Sequence, residues 1–146
     1  MNLSKDIKIT VVEAAAAAAQ TELVTDVLDM SGYEGVMFIA LTGDVTTASV
    51  LTLTVKGNSA NSVSSPTPVT QKATDAFTAD GTSADSKVLM VDVYKPALQY
   101  VFGSLTRTTA DAIVGGIIAI QYNARTKPTT QAASVIASAF GLGVAA

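Results

Sequence analysis

The chain is 146 residues long, carries a formal net charge of −3, and is 49% hydrophobic but only 14% charged and 5% aromatic. It contains no His, Cys or Trp, which excludes disulfides, thiolate nucleophiles and Cys/His metal sites and leaves no side chain that ordinarily titrates near neutrality for acid–base catalysis. Nine Lys and Arg residues against twelve carboxylates argue against wrapping nucleic acid, an affinity that depends on neutralising phosphates.

The N-terminus carries Lys5, Asp6 and Lys8 without an apolar core, so it does not read as a secretory signal. Ile7-Lys8-Ile9-Thr10-Val11 alternates apolar and polar side chains, the period-two pattern that turns one face of a strand inward. The next stretch is ambiguous. Ala14–Ala19 is six consecutive alanines, the best helix formers, and Leu23, Val27 and Met30 recur at helical spacing. Literally read, Glu13–Asp29 is a helix. The β-branched residues Val24, Thr25 and Val27 and the absence of a cap favour a small-residue connection or single helical turn, then a strand near Leu23–Asp29.

Strand signals dominate from there. Val36–Leu41 is continuously apolar, as a buried strand would be, and Thr42-Gly43-Asp44 follows as a turn signal. Val50–Val55 alternates, with Leu51, Leu53 and Val55 on one face, and ends at a second turn signal, Lys56-Gly57-Asn58. Asn58–Pro68 and Asp75–Ser86 read as surface loops, the second with Phe77 as its anchoring aromatic. Lys87–Tyr94 is a strand stopped by Pro96, and Leu98–Phe102 and Ile113–Tyr122 complete the set. Gly115-Gly116, inside an apolar strand, reads as a bulge or close backbone approach rather than a phosphate cradle.

Short strands separated by turns, without helical patterns between them, predict one all-β domain over residues 1–128: an antiparallel β-sandwich or jelly-roll-like barrel. Residues 129–146 form an apolar C-terminal tail, either a short helix over Ala132–Phe140 closed by Gly141 or an extended arm. Neither that tail nor Ala112–Ile120 reaches the roughly 20 apolar residues of a membrane span. The chain is expected to be made in the cytoplasm, with no membrane partner.

No catalytic, cofactor or metal residues are assigned. Ser4-Lys5 and Ser86-Lys87 are adjacent pairs that are not pre-aligned for nucleophilic chemistry. Asp80–Asp85 is a loose echo of a calcium loop, lacking the dense acidic pattern and terminal Glu, and reads as a solvated turn. Lys95, Arg107, Arg125 and Lys127 are scattered, unlike a nucleic-acid footprint. The low charge points elsewhere. A surface of Ala, Ser and Thr sheds water cheaply, as the cores of protein interfaces do, which suggests coverage by identical subunits or a larger assembly.

Three segments carry a resemblance: Asp29–Phe38 (DMSGYEGVMF), Val91–Pro96 (VDVYKP) with Tyr100-Val101, and Ala119–Pro128 (AIQYNARTKP). Together, in this order, they resemble a family of small structural proteins of tailed phages and prophages. The resemblance implies a virion component on the capsid exterior, a decoration or cement protein that is β-rich, trimeric and bound to the major capsid protein. It implies no catalytic residue. Another virion part, such as a tail-tube or head-fibre subunit, is the alternative; a hydrolase or carbohydrate-binding module is disfavoured by the missing His and Trp. By their residues alone, Tyr33-Glu34, Tyr94-Lys95 and Tyr122 with Arg125 are expected to form cation–π or hydrogen-bonded corners at strand ends.

Overall fold

The β-branched runs do become the long strands. The computed structural model describes residues 2–144; Met1, Ala145 and Ala146, at the outer limits of the expected domain and tail, lie outside the described residues. A single helical turn, α1 (Leu3–Asp6), precedes β1 (Lys8–Glu13), β2 (Ala16–Ala19), β3 (Leu23–Val24) and β4 (Leu28–Asp29). The longer strands β5 (Gly35–Val45) and β6 (Val50–Asn58) follow, then β7 (Val69–Ala73), β8 (Phe77–Thr78), β9 (Val88–Tyr94), β10 (Tyr100–Thr108) and β11 (Ala112–Tyr122).

Two antiparallel sheets pack face to face as a sandwich, and neither closes into a barrel. In the first sheet the order is β1-β11-β5-β9, with β2 also on β11. In the second, β10 and β6 are central, flanked by β3 and β4 on one side and β7 and β8 on the other. The chain changes sheet between β2 and β3, β4 and β5, β5 and β6, β8 and β9, β9 and β10, and β10 and β11, so most pairings are distant in sequence.

The core forms where inward faces meet. Val36, Phe38 and Ala40 of β5 and Val114, Ile117 and Ala119 of β11 pack against Leu53 and Val55 of β6 and Val101 and Leu105 of β10. Each fully buried large side chain contributes about 1.5–3 kcal/mol.

Several expected boundaries move. Thr42-Gly43-Asp44 is not a turn: β5 continues to Val45, and the reversal comes at Thr46–Ser49, where Ser49 N–H donates to Thr46 O at 3.0 Å. Gly43 sits in the strand because the Ile113 side chain lies across it, 2.8 Å from where a Cβ would stand. Lys56-Gly57-Asn58 likewise stays in β6, and β10 runs six residues past the expected end at Phe102, to Thr108. Asn58 organises the loop after it, donating from Nδ2 to Ser62 O and Pro66 O, both at 2.8 Å. Phe77 is not the anchor of its loop; it is half exposed, and Ala79 and Ala84 are the buried residues there. The Gly115-Gly116 bulge is present: pairing with β5 shifts between Val114 and Gly116, and Gly116 adopts φ +136° with Glu13 O 3.2 Å from a notional Cβ. That position suits glycine alone.

The alanine run is a strand, not a helix or a loop. Ala16 and Ala19 pair with Val114 and Ala112 of β11, and the expected strand over Leu23–Asp29 is broken into β3 and β4, both on β10. Alanine side chains bury too little surface to hold such a segment. Arg107 supplies the missing hold. Its side chain is only 2% exposed and lies on the inner face of β10, beside Leu51. Nη1 donates to Ala17 O at 2.9 Å and Ala112 O at 2.7 Å, Nε to Thr21 O at 2.9 Å, and Nη2 to Thr21 Oγ1 at 2.8 Å. One guanidinium thus ties the second sheet to the first where the chain crosses between them.

Arg107→Ala leaves these carbonyls unpaired, and we expect a loss of about 3 kcal/mol in urea unfolding. Amide exchange should accelerate first over residues 16–21. A loss below about 0.5 kcal/mol would show that the alanine strand is held by something else.

Candidate interaction surface

The tight turn at Ser31-Gly32 (Gly32 at φ +86°) carries the chain from β4 in the second sheet to β5 in the first. This crossover brings the segments Asp29–Phe38, Val91–Pro96 and Ala119–Pro128 together at one end of the sandwich. Lys95 N–H donates to Glu34 O at 2.7 Å, Glu34 N–H to Tyr122 O at 3.1 Å, and Arg125 N–H to Gly32 O at 2.9 Å. Side chains reinforce the backbone. Glu34 Oε2 accepts from Tyr94 Oη and Asn123 Nδ2, both at 3.2 Å, and Gln99 Nε2 donates to Asp29 Oδ1 and Ser31 Oγ. The Ser31 N–H, then the Ser31 hydroxyl, hold the Asp29 carboxyl below its ordinary value against the opposing effect of burial, with a lesser contribution from Gln99. A polar cleft of about 510 Å³ opens between these segments, with Glu34, Lys95, Gln99 and Arg125 on its walls.

The aromatic corners are partly as expected. Lys95 Nζ lies 5.4 Å from the centroid of the Tyr94 ring, and Tyr94 also bonds Glu34. Tyr122 pairs elsewhere: its hydroxyl donates to Asp92 Oδ1 at 2.6 Å, while Arg125 borders the cleft. To reach Asp92 on β9 from β11, the Tyr122 ring must cross β5, and it does so over Gly35, whose notional Cβ would stand 2.2 Å from the ring. Burial, the bond to Asp92 and that carboxylate's charge all push the Tyr122 phenol above its ordinary range.

The other candidate groups do not converge. Asp85 turns towards β5, where Oδ1 accepts from Val45 N–H at 2.8 Å, and Asp80 closes a turn with Ser83. Among the described residues no cluster of three metal-ligating side chains forms. Ser4-Lys5 falls in α1 and Ser86 in the turn before β9.

Sequence reasoning missed the outer face of the first sheet. Strand pairing aligns Val11, Ile118, Ile39 and Met90 in one row, and Ile9, Ile120, Met37 and Asp92 in the next. Leu41 pairs with Val88 beyond them. Except for Asp92, all these side chains are apolar, and all face away from the core; Met90 is 59% and Val88 58% exposed. In β1 the inward positions are therefore Lys8 and Thr10, paired with buried Gln121 and Ala119, so Ile9 and Val11 face out. The second sheet behaves conventionally, showing Thr52, Thr54, Lys56 and Thr106 on its outside. A shallow apolar groove of about 330 Å³ crosses the first sheet's outer face where Gly115 and Gly116 lack side chains.

The tail begins beside this face. It is an extended arm rather than a helix over the described residues. Gln131 Oε1 accepts from Ile9 N–H at 2.8 Å and Ser134 Oγ from Val11 N–H at 3.0 Å, capping the free edge of β1. Beyond Val135 it carries exposed apolar side chains, with Ile136 97% and Leu142 89% exposed.

The chain matches no family model and no curated protein.

Gly35→Ala should force the Tyr122 ring off β5, costing about 1–3 kcal/mol and breaking the bond to Asp92. A raised phenol pKa in the folded state means that native protein holds its proton more firmly than unfolded protein, so stability falls as pH rises above about 10. In the variant, the Tyr122 Cζ resonance should titrate closer to that ordinary value, and the alkaline loss should shrink. A Tyr122 titration unchanged by the substitution would contradict this geometry.

Proposed function

We propose that this chain is a non-enzymatic structural protein of a tailed-phage virion, a decoration protein that associates with itself and binds the assembled head. The observation that carries the reading is the convergence of the three family-like segments, far apart in sequence, on one hydrogen-bonded end of the sandwich. Two further features support it. The first sheet presents an apolar outer face suited to being covered, and the uncharged arm leaves the domain beside it. A protein that binds only the assembled shell stabilises that form by mass action, and many repeated weak contacts gain strength through effective concentration.

Purified chain mixed with expanded heads built from the major capsid protein of a tailed phage should co-sediment to a saturating, symmetric occupancy. It should also raise the temperature at which the heads break. Heads that sediment without the chain would overturn the reading, and open-ended polymerisation of the chain alone into tubes, rather than a discrete oligomer, would move it to a tail-tube subunit.

A further inference from the structure

Among the described residues the apolar arm does not cover the apolar face, although the two lie side by side. After Ser134 the arm turns towards α1, where the Phe140 ring sits 5.0 Å from Lys5 Nζ, and leaves the groove over Gly115-Gly116 open. We propose that the arm of one copy docks on the outer face of the first sheet of a second copy, laying apolar side chains from Ile136 onward across Ile39, Met90 and the glycine groove.

Reach permits it. The ten residues after Ser134, ending at Val144, span about 33–36 Å when extended, whereas four strands at about 4.8 Å spacing are only about 15 Å across. Charge favours it as well. Residues 129–146 contain no charged side chain; of the carboxylates bordering the face, Asp92 is already bonded by Tyr122 and Glu13 lines the groove beside Val11. A neutral arm brings no second ion to be buried there, a cost that a charged partner would add. Size is sufficient too. One arm given and one received bring roughly twenty residues of each copy into contact, the scale of a standard stable interface. Passing the arm onward from copy to copy is a head-to-tail contact, which yields a discrete oligomer where the rotation between copies closes.

This proposal adds a self-partner to the head-binding reading but does not require a capsid. It is tested by complementation between two variants of the full chain, one truncated after Val135 and one carrying Met90→Glu. Met90 is exposed, so its replacement leaves the core intact. Light scattering after size exclusion should show a discrete oligomer for the wild type. Each variant alone should associate at least about tenfold more weakly. Mixed together, the truncated chain supplies an intact face and the Met90→Glu chain an intact arm, so a one-to-one hetero-complex should form. A monomeric wild type, an oligomer indifferent to both changes, or a mixture that fails to pair would overturn the proposal. Loss of head binding with pairing retained would instead remove only the virion reading.

Discussion

A strand has two faces, and stacking two sheets covers only one face of each. In this protein the second sheet obeys that limit by turning threonines and Lys56 outward. The first sheet does not. Its central strands β5 and β11 are apolar at both parities: Val36, Phe38, Ala40, Ile117 and Ala119 point to the core, and Met37, Ile39, Ile118 and Ile120 away from it. An antiparallel sheet that is apolar on both sides has the composition of a buried layer. The low overall charge of the chain has its most apolar structural counterpart here.

The sandwich is assembled through non-local contacts, and polar groups hold the places where apolar burial is weakest. Arg107 spends its donors on the carbonyls of Ala17, Thr21 and Ala112, fixing a segment whose own side chains have little to bury. At the other end, Glu34 and Tyr122 join β5, β9 and β11 across their termini. These two clamps hold β2, β5, β9 and β11 at opposite ends of the sandwich, leaving the outer face of the first sheet between them.

Strands were legible wherever a β-branched run was long, as in β5, β6, β9 and β11, and so was their arrangement as a sandwich. What local pattern could not reveal was set by distant partners. Gly43 and Gly57 resemble turn residues, yet both stay in strands because Ile113 in one case and Gln71 in the other packs against them. Six alanines favour a helix in isolation; pairing with β11 and the reach of Arg107 from β10 override that preference. The Ile7–Val11 alternation was visible, but its direction was not, since pairing with Ile118 and Ile120 turns Ile9 and Val11 outward. The outer face did leave a sequence signal. Val36–Leu41 is apolar at every position, which in an antiparallel sheet means a covered second side, and only the strand register shows that this chain alone provides no cover.

The methionines offer a direct reading of that second side. Met37 and Met90 lie on the outer face, and Met30 is in the core as an internal reference. Hydroxyl-radical footprinting of dilute isolated chain and of the chain in its assembled form should oxidise Met90 rapidly in the first and spare it in the second, with Met30 protected in both. Equal oxidation of Met90 in the two forms would mean that the apolar face stays open to water, and that the surface assigned here is not an interface.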